Sequence, residues 1–516
     1  MLFFALFAAL RETNPNSYKT FTIMRIYLVS KKTVLRYVFI GLFLLSFSFL
    51  FWEEGPLRYS KHDYSSLIPP DLLIEDAWYG VYFQDAFLGY SHYFMKINEI
   101  SEGGGYVFKN DAHLKFPLMG RLEPLDINME ARLLSNYSLE TGAFSVQSNN
   151  YFITAALARQ KHDTYTLVIE TPSGKTTRTM KRKGEIINPM FSPISLNYVP
   201  LKKKMSFTFY DPFLNRETHV TLGNRGKETI HIKGQALSAY KIDMDADGVK
   251  GVIFVDNNGR LLKEEFLGFT FVKELPQELF NKKALAPNVD FISSFSIPAL
   301  DIPGKEGLSY MKVRIEGVAS GYIREDFNQR LTPAENGCIV EIHCKAPEKR
   351  DTLPLKSDTF AGYLKEEEFI KFRTPLVMDT MNSIVGEEKD AFAIVKKITA
   401  WINDNIDKVP SITLPSTTDV LKLKRGDCGE LSALMVGFLR SVGIPSYVNI
   451  GIVLSEGRFF YHAWVSAYIG EWIDTDPALE QLIADPTHIK LLQGLENQFE
   501  LFKIIPKIKV EILEYR

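Results

Sequence analysis

From Ala77 to about Pro375 the pattern of hydrophobic and polar positions is strand-like, in short runs, and only then changes to a helical period. Met205-Ser206-Phe207-Thr208-Phe209 alternates strictly, as a half-buried strand does. Short runs rich in Tyr, Phe and Val predict strands at 78–84, 89–97, 106–116, 165–170, 205–210, 229–232 and 240–244. Two more, at 252–255 and 261–265, flank Asn257-Asn258-Gly259, a hairpin signal because Asn and Gly tolerate positive φ. Residues 78–275 are therefore expected to form one antiparallel β domain, with its many aromatics serving as core. Strands at 310–317 and 337–344 predict a second, small β domain over 285–372, the size of a small sandwich.

After Pro375 the spacing becomes helical. Val395, Ile398, Ile402 and Ile406 step by three and four and make one apolar face, with Trp401 beside it. Thr418 is placed to cap a short helix through Leu423. Leu431, Leu434, Met435, Phe438, Leu439 and Val442 form a broad apolar stripe that Gly443 ends, with Pro445 just beyond. Residues 446–476 then alternate as strands.

Residues 33–52 follow neither pattern. They are almost wholly apolar, broken only by Arg36, and twenty helical residues reach about 30 Å, one bilayer core. Lys31, Lys32 and Arg36 flank the start, and Glu53 and Glu54 follow the end. The excess of positive charge before the span predicts a cytoplasmic segment over 1–32, a transmembrane anchor over 33–52, a Pro-containing linker over 53–77 and an extracytoplasmic remainder. Only Ser48 is small between Phe47 and Trp52, so no signal-peptidase site of the A-x-A kind is present and the anchor is expected to be retained. The apolar stretch 2–10 is too short to span, and Met24, just before Arg25, is an alternative start.

Composition adds limits. A chain of 516 residues exceeds one core, so several domains are expected. Net charge is −2 with acids and bases intermixed, which gives no basis for nucleic-acid binding. Of the three cysteines, Cys338 and Cys344 lie on one predicted strand, about 20 Å apart when extended, which is beyond disulfide reach. No paired Cys/His spacing suggests a metal, and no cofactor-binding motif is visible.

The third cysteine sits differently. In Gly426-Asp427-Cys428-Gly429-Glu430, Asp427 is placed as N-cap, Cys428 as the first helical residue and Glu430 as the third, a capping box with Asp in the cap position. A thiol there meets the positive end of the helix dipole, which favours thiolate. On the strand 459–468, His462, Trp464, Ser466 and Tyr468 share one face, and the small residues Ala463, Val465 and Ala467 share the other. A three-residue loop, Ile469-Gly470-Glu471, pairs Tyr468 with Trp472 and Trp464 with Asp476. That sets Asp476 diagonally from His462, at the edge of hydrogen-bond reach. Asp474 is the second choice of orienting acid.

Taken together and in order, Gly426–Glu430, Leu439-Arg440-Ser441-Val442-Gly443-Ile444-Pro445, His462-Ala463-Trp464 and Trp472 with Asp476-Pro477 resemble the motifs of the transglutaminase-like superfamily of papain-type Cys-His-Asp proteins. The resemblance implies an α+β core over 376–516 in which the cysteine helix packs on an antiparallel sheet. It also implies Cys428 as nucleophile, His462 as base and Asp476 as orienter, with attack on amide bonds through a thioester. Less specifically, residues 78–265 resemble β domains that precede such cores in bacterial envelope proteins, which implies an inner-membrane, periplasm-facing location. The expected partners are a protein or peptide substrate, the membrane through 33–52 and an envelope protein through the β domains. Two other readings keep the fold: a catalytically silent binding or assembly module, and a lipid or lipoprotein carrier formed by the β region.

Overall fold

The structure, a computed structural model, describes residues 75–97, 105–118, 121–135, 139–149, 151–161, 164–181, 204–211, 216–283, 291–355, 358–367, 369–409 and 416–516. The segment expected over 1–32 and the anchor expected over 33–52 lie outside these residues. So does the linker, except its last three positions, which instead open the first strand, Glu75–Phe83. Among the described residues, no helix is long and apolar enough to cross a membrane.

Fourteen strands between Glu75 and Lys273 make one antiparallel sheet. Its order follows from pairing of consecutive strands, with one long-range pairing between the first strand and the last. Glu75–Phe83 lies inside the sheet; the following strands run outward from it, each beside the last, to Gly174–Lys181. On its other side lies the last strand, Phe269–Lys273, and the order then runs backward to Lys204–Asp211. The alternation read from the sequence is visible in Glu75–Phe83, where Ala77, Tyr79, Val81 and Phe83 are buried while Trp78 and Tyr82 between them are half-buried. The buried set divides between two apolar clusters, one around Phe108, Leu133 and Tyr165 and one around Leu88, Phe116 and Leu125. The aromatic density is thus largely core. The edge strand Gly174–Lys181 is mostly exposed and carries Lys175, Arg178 and Lys181, charges that discourage pairing with another chain.

The expected small domain over 285–372 has no core of its own. Its strands Tyr310–Glu316, Gln329–Ala334 and Gly337–His343 form a four-stranded sheet whose fourth member is the C-terminal strand Lys509–Tyr515. Met311, Val313, Ile315, Cys338, Val340 and Ile342 share one apolar core with the cysteine helix and the strands after it. The strands expected at 310–317 and 337–344 are present, and the strand Gln329–Ala334 between them was not foreseen. The local pattern could not show that their partner lies almost two hundred residues away. Cys338 and Cys344 are both free, the first buried and the second half-buried.

The remaining core is α+β. Helices Pro375–Val385 and Ala391–Asn405 begin at Thr374 and Asp390, whose side chains accept from Val377 N and Ala393 N. The next helix, Thr417–Leu423, is capped by Ser416 with Asp419 closing a capping box, so the cap lies two residues before the expected Thr418. The cysteine helix, Cys428–Ser441, has the expected cap: Asp427 accepts from Gly429 N at 3.0 Å, and Glu430 accepts from Asp427 N at 3.1 Å. Gly443 ends it with φ 85°, and Ile444 N returns to Leu439 O at 2.9 Å. Gly437 lets the 417–423 helix approach, since a Cβ there would lie 2.7 Å from Thr417 Cγ2.

Behind the helix lies a five-stranded sheet in the order Ile297–Pro298, Arg458–Tyr468, Ser446–Ser455, His488–Gln493, with Trp472–Thr475 paired to Arg458–Tyr468. Ala463, Val465 and Ala467 share its apolar cluster with Leu431, Leu434 and Phe438 of the helix. Small side chains on the strand allow that close packing.

Candidate active site

The hairpin 468–472 has the register that the sequence required. Tyr468 pairs with Trp472 and Ser466 with Asp474, leaving Ile469-Gly470-Glu471 as a three-residue loop. Asp476, one step beyond the strand, is fully buried and reaches His462: Asp476 Oδ2 accepts from His462 Nε2 at 2.6 Å. Because Nε2 is occupied, Nδ1 is the ring nitrogen left for Cys428, which is hydrogen-bonded to the His462 side chain and to the Ala463 backbone. Cys428 is half-buried as a residue at the first position of its helix, and its sulfur, the His462 imidazole and the buried Asp476 carboxylate lie in series.

Asp474 is turned to other work. It accepts from Lys490 Nζ at 2.7 Å, Asn328 Nδ2 at 2.9 Å and Ser466 Oγ at 2.5 Å. Lys490 is 1% exposed and also pairs with Asp326 Oδ2 at 2.6 Å. This buried network joins the 324–329 loop to the sheet. Trp401 packs edge-on against Phe438 at 5.5 Å, nearly three turns along the helix from Cys428, consistent with a core role.

A second histidine was not singled out in the sequence. His488 opens its strand, is 3% exposed, and places Nε2 3.0 Å from the same Asp476 Oδ2. Its Nδ1 lies 2.9 Å from the Asp485 carbonyl oxygen. Asp476 Oδ1 in turn accepts from the backbone N–H groups of Ala478, at 2.8 Å, and Leu479, at 3.1 Å. The carboxylate therefore has four donors, two on each oxygen. The Trp464 ring walls this group, 5.1 Å from His488 and 6.1 Å from His462, and fits because Gly451, opposite His462 and diagonal to Trp464, has no side chain; a Cβ there would lie 2.8 Å from Trp464 Cη2. The only sequence trace of His488 is its place at the start of a strand shortly after Asp476-Pro477.

The electrostatics follow from burial and pairing. Burial would raise Asp476, but His462 and His488 outweigh it and hold the carboxyl far below its ordinary range. Burial would lower His462; the Asp476 charge and hydrogen bond, aided by Cys428, raise it to about 9. His488 is likewise opposed by burial and raised to about 9 by Asp476 and Asp485. The Cys428 thiol is pushed up by burial and by the Asp427 carboxylate, against the pull of His462 and Ala463. Burial and Asp427 thus work against the thiolate that the helix terminus favours, and His462 works for it.

His462, Asp476 and His488 bring their ligand atoms within 4.8 Å of one another, a spacing that could hold a metal ion. Those atoms are already joined by hydrogen bonds. A cation entering there would have to displace protons from two imidazoles held to about pH 9.

Residues 379–477 match the family model of the transglutaminase-like superfamily. No curated protein matches the chain. Among solved structures, a candidate cysteine protease from Cytophaga hutchinsonii is similar at 15% identity, covering 40% of this chain and 86% of its own, with a TM-score of 0.28. A β-barrel-like protein of a domain of unknown function from Brucella abortus is similar at 11% identity, over 39% of this chain and 94% of its own, with a TM-score of 0.27. A candidate protease from Parabacteroides distasonis is similar at 12% identity over 72% of this chain and 68% of its own, with a TM-score of 0.18. These likenesses are too low to support any further step. The family match, on the stretch that contains Cys428, His462 and Asp476, identifies residues 379–477 as a transglutaminase-like superfamily domain.

Proposed function

We propose that the protein is a thiol enzyme of the transglutaminase-like class that cleaves or transfers peptide-like amide bonds through a thioester. The observation that carries this is the series Cys428, His462 and Asp476, with His462 Nε2 fixed on a buried carboxylate at 2.6 Å and Nδ1 left for the sulfur. The thiol proton passes from Cys428 to His462 Nδ1, and the thiolate attacks the amide carbonyl carbon. As the tetrahedral intermediate collapses, the C–N bond breaks and the leaving amine takes the proton from His462. The acyl group stays on sulfur. Water or a second amine then gives its proton to His462 and attacks the thioester, releasing acid or new amide and regenerating the pair. As the first helical residue, Cys428 has an N–H without an intrahelical acceptor, suited to hold the developing oxyanion.

The fuller reading adds a membrane anchor over 33–52, with the β-rich region and the site outside the cytoplasm. It rests on the hydropathy of that span and the charges flanking it. The direct test is incubation of the full chain with peptidyl electrophiles and with a fluorescent primary amine plus peptide donors. Covalent labelling of Cys428 that vanishes in His462→Ala supports the enzyme. Amine incorporation separates transfer from hydrolysis. Failure of every probe to label a folded Cys428 favours the catalytically silent binding module.

A further inference from the structure

His488 faces a hydrogen-bond acceptor at each of its ring nitrogens. The Asp485 carbonyl oxygen 2.9 Å from Nδ1 can only accept, so Nδ1 carries a hydrogen. The ionised Asp476 oxygen 3.0 Å from Nε2 can also only accept, so Nε2 carries one too. An imidazole with hydrogen on both nitrogens is a cation. We propose that His488 is a positioning residue of the Cys428 site: a fixed imidazolium that keeps Asp476 ionised and aimed, and offsets its charge so that His462 can give up its proton and act as base. This rests on the reading of Cys428 as nucleophile and His462 as base.

The surrounding groups are arranged for that role. The charged or titratable groups facing His488 are Asp476 beyond the 472–475 strand, Asp485 on the loop before its own strand, and His462 with its ring 5.7 Å away. Lys490, two residues along the same strand, is committed to Asp474 and Asp326, and Cys344 lies near Asp485 and Asp474. The Asp485 carboxylate accepts from Thr487 N at 2.8 Å and from Gln481 Nε2 at 2.7 Å, and the His488 ring is held by partners at both of its nitrogens. A lone buried aspartate beside His462 would hold the base protonated well into alkaline pH. A second cation on the same oxygen weakens that hold. At an effective dielectric of about 20, one charge at that ring separation moves a neighbouring titration by about one to two pH units.

The test is ring-nitrogen NMR of the full chain with labelled histidine, in the wild type and in His488→Gln, which keeps a donor for Asp476 without the charge. In the wild type His488 carries protons on both ring nitrogens at pH 7, and in His488→Gln the His462 titration moves up by about one pH unit or more. A neutral His488 at pH 7 in the wild type overturns the proposal without any variant. An unmoved His462 titration in folded His488→Gln overturns it as well and leaves the enzyme reading intact. Alkylation of Cys428, followed by peptide mapping in the wild type and in His462→Ala, tests that reading separately. If His462→Ala changes nothing there, the reading fails and the proposal with it.

Discussion

At the residue scale, the site is a chain of partially cancelling charges. Asp427 caps the helix and at the same time pushes the adjacent thiol up. Replacing it with Asn keeps a capping oxygen and removes the charge. Asp427→Asn is therefore expected to raise the alkylation rate of Cys428 at pH 7 by about threefold to tenfold, measured by mass spectrometry, with only a small change in melting temperature. Asp476 behaves differently, because removing it strands two buried imidazoles. Asp476→Ala is expected to cost about 3–5 kcal/mol of stability in denaturant unfolding. The histidines also set a pH dependence. Their folded pKa values, about 9, lie above the unfolded value near 6.5, so their contribution is complete below about pH 6.5 and is lost as pH rises through 9. Each alone is worth about 3 kcal/mol, and the two are not additive because they share one carboxylate. Calorimetry between pH 6.5 and 9.5 should find the melting temperature falling, and falling less in His488→Gln.

At the scale of elements, local signals were legible where a side chain acts on its own neighbourhood. Asp427 and Glu430 announced the helix start, Gly443 its end, and Ile469-Gly470-Glu471 the odd loop that sets the register of Asp476. Strands at 121–134 and 139–148 were missed because charged and polar-rich stretches carry little aromatic and β-branched signal, although hairpin pairing makes them strands. The strand at 151–161 was missed although it opens with Tyr151-Phe152-Ile153-Thr154. His488 was missed for a different reason: its meaning depends on Asp476 and Asp485 folding over it, and neither its type nor its spacing carries that information. The Gly437 contact gives a prediction at this scale. Gly437→Val would drive a side chain into Thr417 and is expected to cost about 1–3 kcal/mol, read from the unfolding midpoint.

At the scale of the whole molecule, the β-rich region and the α+β core touch through specific polar contacts. Asp419 Oδ1, in the helix just before the cysteine helix, accepts from Ser173 N at 2.7 Å and Thr171 Oγ1 at 2.9 Å. Those two residues lie at the tip of the 164–181 hairpin, and Lys422 also donates to Ser173 O at 3.1 Å. The contact joins a sheet edge to the support of Cys428, which sequence periodicity could not foresee. The C-terminal strand is another long-range tie: without Lys509–Tyr515, Tyr310–Glu316 loses one of its two neighbours and becomes an open edge.

All of this rests on His462 acting on the Cys428 sulfur. The most direct measurement is the rate of Cys428 alkylation by iodoacetamide from pH 6 to 10, in folded wild type and His462→Ala, with Cys338 and Cys344 in the same chain as internal references. The wild-type rate is expected to climb with pH and to be at least tenfold higher than that of His462→Ala at pH 8. Superimposable curves for the two proteins would contradict it.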